Sequence, residues 1–220
     1  MMESDTDMED RMWVADTEGN GANPNEPIEL ALVEMRGFEI TGKAHAWRFR
    51  PMNPITRHAT YVHGITNADI ASAAPYAEQA EDVMDKLGRI PIIGHSVSVE
   101  VNMITSVQQD WEPLRAYDTL RISRRLHPEQ KKHKLGILGD QLGLSEEARR
   151  LTGKKPHSAL YDAVLTALLL RHFASENPDQ IVKLMQHAEI MAGRRANARR
   201  EVEKQRKRQL RNRFRSSQDE

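Results

Sequence analysis

The sequence predicts a mixed α/β domain, and three observations lead there. Strand-like patterns follow one another after residue 12, an apolar run closed by glycine is followed by a helical period, and helical periods dominate the second half. Residues 12–16 read as a short buried strand, 28–35 as a second, and 38–49 as a third with a turn near Thr41-Gly42. Three successive strands imply an antiparallel meander. Pro51 and Pro54 open a loop that ends at His63-Gly64-Ile65-Thr66. The spacing of Ala77, Ala80, Val83, Met84 and Leu87 predicts a helix over 75–87. Residues 90–94 then form a strand, 97–109 a helix and 115–117 a short extended piece. Helices are expected over 119–126, 134–142, 145–151 and 158–173, the last with Pro156 just outside its start. A final helical pattern begins after Pro178 and runs toward the end of the chain.

The 220 residues carry 32 Lys and Arg against 32 Asp and Glu. This balance is local in origin: residues 194–215 hold eleven Lys or Arg and two Glu, so the rest of the chain is acidic by the same margin. The length suits one domain with an appendage. The expected division is a flexible acidic leader at 1–11, a domain at 12–176 and a helical basic extension at 177–220. With no cysteine, disulfides, thiolate metal sites and thiol nucleophiles are excluded. The N-terminus is acidic where a secretory signal would be basic then apolar, and the apolar stretch at 163–170 is too short to span a bilayer. The expectation is a cytoplasmic protein with no membrane partner.

Three clusters carry chemistry. Asp16 and Glu18 stand two apart at the end of an apolar strand, so the period of two sends both to one face. Two such anions repel unless a cation lies between them, and an oxygen donor set favours Mg²⁺ or Mn²⁺; a solvated turn matches the same short pattern. Gly94-His95-Ser96 ends the next buried strand, and Glu100 in the first turn of the following helix is either a member of the same site or a helix-dipole carboxylate. His157 and Asp162 would lie about 140° apart on one helix, so they share a site only if His157 precedes it, where Pro156 and the N-cap candidate Ser158 place it. There the histidine is a general base for water or an ordinary surface imidazole.

In order and content these clusters resemble the DEDDh branch of the DnaQ-like 3′–5′ exonucleases, with proofreading-subunit, exonuclease X and ribonuclease T relatives. Asp16-Thr17-Glu18 is similar to the first motif, 94–100 to the second and 157–162 to the third. The stretches at 63–66, 117–120 and 134–135 are similar to relatives too. The resemblance implies an RNase H-like fold, a mixed five-stranded sheet flanked by helices. It implies two Mg²⁺ or Mn²⁺ ions held by Asp16, Glu18, Glu100 and Asp162, with His157 as the base. Thr17, the Gly19 to Gly21 loop and His63 are family-matched candidates for holding the terminal nucleotide, with turn residues that hold no ligand as the alternative, and His95 is a further substrate-binding candidate. One position departs: Glu100 stands where the family has aspartate, and its extra methylene implies either weakened activity or a helix that retreats.

The basic tail, including Arg194, Arg195, Arg199, Arg200, Arg206 and Arg208, carries arginine on nearly every side if helical. It suits a nucleic-acid backbone, an acidic protein or solvent alone. The resulting expectation is a 3′–5′ exonuclease on single-stranded or frayed DNA. The alternatives are an exoribonuclease of the same fold and a catalytically weakened nucleic-acid binder. DNA is favoured over RNA as partner, a polymerase or other replication or repair protein is a further one, and the chain is a monomer or homodimer.

Overall fold

The computed structural model describes residues 11–190, so the acidic leader before Arg11 and the arginines from Arg194 onward lie outside the described residues. The meander is present. Strands β1 (Arg11–Gly19), β2 (Pro27–Arg36) and β3 (Glu39–Arg48) pair antiparallel in succession. The chain then forms α1 (Arg57–His63), α2 (Tyr76–Leu87), β4 (Ile92–Gly94), α3 (Ser98–Val107) and β5 (Ala116–Asp118). Helices α4 (Thr119–Leu126), α5 (Leu135–Gln141), α6 (Leu144–Thr152), α7 (Ala159–Glu176) and α8 (Ile181–Ala188) follow, and β6 (Glu189–Ile190) closes the described chain.

β4 pairs parallel to β1 and β5 parallel to β4, so the sheet order is β3-β2-β1-β4-β5-β6. The apolar alternation of β1 and β2 feeds two cores. Trp13, Ala15, Leu30 and Leu32 pack with Val83 and Leu87 of α2 and Val101 and Ile104 of α3. Val14, Ala31, Val33 and Met35 face α7. Helix α7 is apolar around most of its circumference because it lies between the sheet and the shell of α4, α5, α6 and α8.

Three expectations change. The sheet has six strands rather than five, because α8 stops at Ala188 and Glu189–Ile190 pairs antiparallel with β5. Ile181, Leu184, Met185 and Ala188 are buried against the α7 core, so residues up to 190 pack on the domain. The turn expected at Thr41-Gly42 lies inside β3. The hairpin turns at Gly37-Phe38 instead, and residues 41–43 bulge opposite Glu34, with Gly42 at φ 84°. Finally, the loop expected after Pro54 contains α1, capped by the Thr56 side chain, which accepts from the Ala59 amide at 3.2 Å.

Candidate active site

The carboxyl ends of β1, β4 and β5 lie side by side, and here the three sequence clusters meet. Asp16 and Glu18 share the α7 face of β1, since their cross-strand partners Ala31 and Glu29 stand on that face of β2. Thr17 between them is turned to the opposite face, 9% exposed, with a buried hydroxyl that has no hydrogen-bond partner. Its side chain is therefore not beside the carboxylates.

His157 precedes α7 as its spacing to Asp162 requires. It adopts φ 62°, and its amide donates to Asp162 Oδ2 at 3.1 Å while the imidazole is exposed. Donor atoms of Glu18, His157 and Asp162 lie within 4.8 Å of one another, a spacing suited to one cation. Glu100 comes from the first turn of α3 and is 4% exposed; its Oε2 has no hydrogen-bond partner.

The electrostatics of the cluster are those of crowded anions. Burial raises Asp16 well above the usual carboxylate range, and the charges of Glu100, Asp162, Glu18 and Glu29 push it further the same way. Burial pushes Glu18 up to about 8, with Asp162 and Glu29 adding to it. Burial likewise pushes Glu100 up to about 8, with Asp118 and Glu18 adding, although a backbone amide opposes the rise. Asp162 is pushed up to about 6 by burial, against the opposing pull of His157. A site of hard oxygen donors, one of them buried and unpartnered, fits a divalent cation and is costly without one.

The two remaining histidines of the expected set differ. His63 ends α1 with Nδ1 accepting the Ile65 amide at 3.0 Å and Nε2 buried; burial lowers its pKa and His157 adds to that lowering, against the opposing pull of the Gly19 backbone and Glu29. His95 turns inward, with Nδ1 3.0 Å from Thr119 Oγ1 and Nε2 2.6 Å from the His133 carbonyl, so both ring nitrogens tie β4 to α4 and the loop before α5. Gly19 packs so closely on Asn25 that a Cβ there would lie 2.6 Å from the amide group.

A model of exonuclease domains, the RNase T family, matches residues 13–170. The chain belongs to the RNase T exonuclease family. Over those residues it carries an exonuclease domain. It is 28% identical over 172 residues to the DNA polymerase III subunit epsilon of Haemophilus influenzae, covering 71% of this chain and 64% of that protein. It is 30% identical over 173 residues to a PolC-type DNA polymerase III of Latilactobacillus sakei, covering 76% of this chain and 11% of the polymerase. The chain thus spans less than two thirds of either relative.

Among solved structures, exonuclease X in complex with 5′ overhanging duplex DNA superposes with a TM-score of 0.63 at 24% identity, covering 80% of this chain and 98% of that one. The nuclease domain of 3′hExo, a DEDDh family member bound to rAMP, gives 0.61 at 18%, covering 76% and 92%. Both likenesses establish the RNase H-like exonuclease fold. No helix among the described residues is long and apolar enough to cross a membrane.

Two residues that act on these carboxylates by charge were not among the expected site residues. Asp118 caps α4 through Oδ1, which accepts the Leu120 amide at 2.9 Å and the Ser96 amide at 3.0 Å, holding Ser96 at φ 82°. Glu29 is 8% exposed and accepts Arg48 Nε at 2.8 Å and the Ala159 amide at 3.2 Å. The available signal was a carboxylate at 29 inside the apolar run 28–35.

Proposed function

We propose that this protein hydrolyses the last phosphodiester at the 3′ end of DNA, single-stranded or frayed, and releases nucleoside 5′-monophosphates. The observation that carries the proposal is the gathering of Asp16, Glu18, Glu100 and Asp162 with His157 at one end of the sheet, in an exonuclease domain that matches over 13–170.

Asp16, Glu18, Asp162 and Glu100 hold the divalent ions, Mg²⁺ or Mn²⁺ and two per site. Bound there, such ions supply a more acidic water and offset the charge that builds on the phosphate oxygens. His157 takes the proton of the attacking water. It is free to do so because only its backbone is committed, to Asp162. Gly19 and His63 lie beside the carboxylates and contact the terminal nucleotide, whereas His95 serves the same pocket by holding β4 to α4. The DNA polymerase III relatives favour DNA over RNA, and a polymerase as partner in the cytoplasm. Arg194, Arg195, Arg199, Arg200, Arg206 and Arg208 tether the polyanion.

The test is degradation of 5′-labelled DNA and RNA oligonucleotides with Mg²⁺ or Mn²⁺. A ladder shortening from the 3′ end, faster on DNA, is the expected result. Binding without shortening would leave a nucleic-acid binder, and faster loss of RNA an exoribonuclease.

A further inference from the structure

A row of side chains leads away from the carboxylates toward the sheet edge. Glu18 on β1 stands opposite Glu29 on β2, and Glu29 stands opposite Arg48 on β3, so the three share the α7 face. Two strand spacings, about 10 Å, separate the first backbone from the last. Along this row the charge changes sign.

Glu29 has partners for both of its oxygens inside the fold. One of its oxygens accepts Arg48 Nε at 2.8 Å and the other the Ala159 amide at 3.2 Å. The pair engages Nε alone, and the guanidinium has four further N–H donors on a side chain that is 50% exposed. Beside it lies an open cleft of about 350 Å³, lined by Glu29, Ala46, Arg48, Lys154, Ser158 and Leu160. The cleft exists because the edge strand presents only the methyl group of Ala46 next to Arg48, too small to reach α7. Lys154 is exposed at this cleft, three residues before His157, and Ser158 Oγ is buried there without a hydrogen-bond partner. Two cations and an unpartnered hydroxyl therefore converge next to the anionic centre.

We propose that Arg48, Lys154 and Ser158 form a subsite for a backbone phosphodiester of the nucleic-acid strand, upstream of the bond that is cut. The inference rests on the exonuclease reading, which also fixes its direction. In an enzyme that removes the 3′-terminal nucleotide, every other phosphate of the strand lies on the 5′ side of the scissile one. A guanidinium fork suits two phosphate oxygens, and contacts of this kind read neither base nor sugar. The subsite thus positions DNA and RNA strands alike and offsets the repulsion a polyanion meets from the four carboxylates.

The experiment compares labelled DNA and RNA decamers with the p-nitrophenyl ester of thymidine 5′-monophosphate, which has a scissile phosphate and none upstream. Lys154→Ala and Arg48→Lys, the latter keeping the charge beside Glu29, are expected to lower kcat/KM on both decamers about tenfold more than on the ester. Lys154→Ala is also expected to reduce the slope of log affinity against log salt by about 1, whereas Arg48→Lys, which keeps its charge, leaves the slope as it is. A parallel fall on decamers and ester, or an unaltered salt slope for Lys154→Ala, overturns the subsite. If the parent protein cleaves neither substrate, the exonuclease reading fails instead, and decamer binding followed by fluorescence anisotropy still decides the subsite through the salt slope of Lys154→Ala.

Discussion

Gly94 makes the room that Glu100 occupies: a Cβ at position 94 would lie 3.1 Å from Glu100 Oε2 and as close to the Cα and Cβ of Val97. The longer carboxylate at 100 is thus accommodated by the missing side chain at the end of β4, and α3 need not retreat. Gly94→Ala is expected to lower kcat/KM on a labelled oligonucleotide and to weaken Mn²⁺ binding measured by titration calorimetry. In a Glu100→Asp background, where the carboxylate is one methylene shorter, the same change should cost less. Glu100→Asp alone should reduce activity, because a shift of about 1 Å in a fitted site can cost on the order of a hundredfold. Additive effects of the two changes would show that position 94 acts through Val97 only.

His157 holds a left-handed backbone, φ 62°, at the step where it must stand clear of α7. His157→Gly should remove turnover while raising stability by about 1 kcal/mol, since glycine has no Cβ to strain there. Chemical denaturation and a turnover assay on one sample check both halves, and anisotropy should find oligonucleotide affinity retained.

The metal-free domain should become less stable as pH rises. Glu18 and Glu100 titrate near 8 when folded and near 4.5 when unfolded, and Asp162 near 6 rather than 3.8. Between those limits the folded state binds more protons than the unfolded one, so stability is greatest below about pH 4.5 as far as these groups are concerned and is lost up to about pH 8. A divalent cation opposes the loss by favouring the charged forms. The midpoint of thermal unfolding should fall from pH 5.5 to 8 in chelator, and the upward shift on adding Mn²⁺ should be larger at pH 8 than at pH 6.

Asp118 acts on Glu100 by charge and on Ser96 and Leu120 by hydrogen bonds. Asp118→Asn keeps an acceptor oxygen and removes the charge, so the pH at which Mn²⁺ binding reaches half its limit should move down. Asp118→Ala should in addition cost about 1 kcal/mol through the lost cap. A metal titration against pH separates the two variants.

Deleting the chain from Arg194 onward removes eleven basic residues. Oligonucleotide affinity should fall most at low salt, where counterion release is strongest. Equal affinity at every ionic strength, read by anisotropy, would assign the tail another partner.

Most strands and helices were legible because their patterns are local: alternation in β1, the long apolar run of α7 and the glycine ending β4 each sit within one element; the side-chain cap expected from Ser158 is not made. The pairing of His157 with Asp162 was legible for the same reason, since Pro156 and a spacing of five residues already separate loop from helix. What escaped depended on partners far along the chain. Strand β6 is two residues long and exists only because β5 offers it an edge. Helix α1 is seven residues between prolines, too short for its period to show.

By itself, then, the sequence determined most of the elements in their order, the clusters that carry the four carboxylates and His157, and the absence of any thiol ligand. Only the tertiary structure decided which face each side chain took. It turned Thr17 away from the carboxylates, sent His95 into the interior, made Gly94 the complement of Glu100, and aligned Glu18, Glu29 and Arg48 in one row. The reason is that periodicity describes a chain relative to its own axis, whereas contact across strands depends on register, which pairing between distant segments sets.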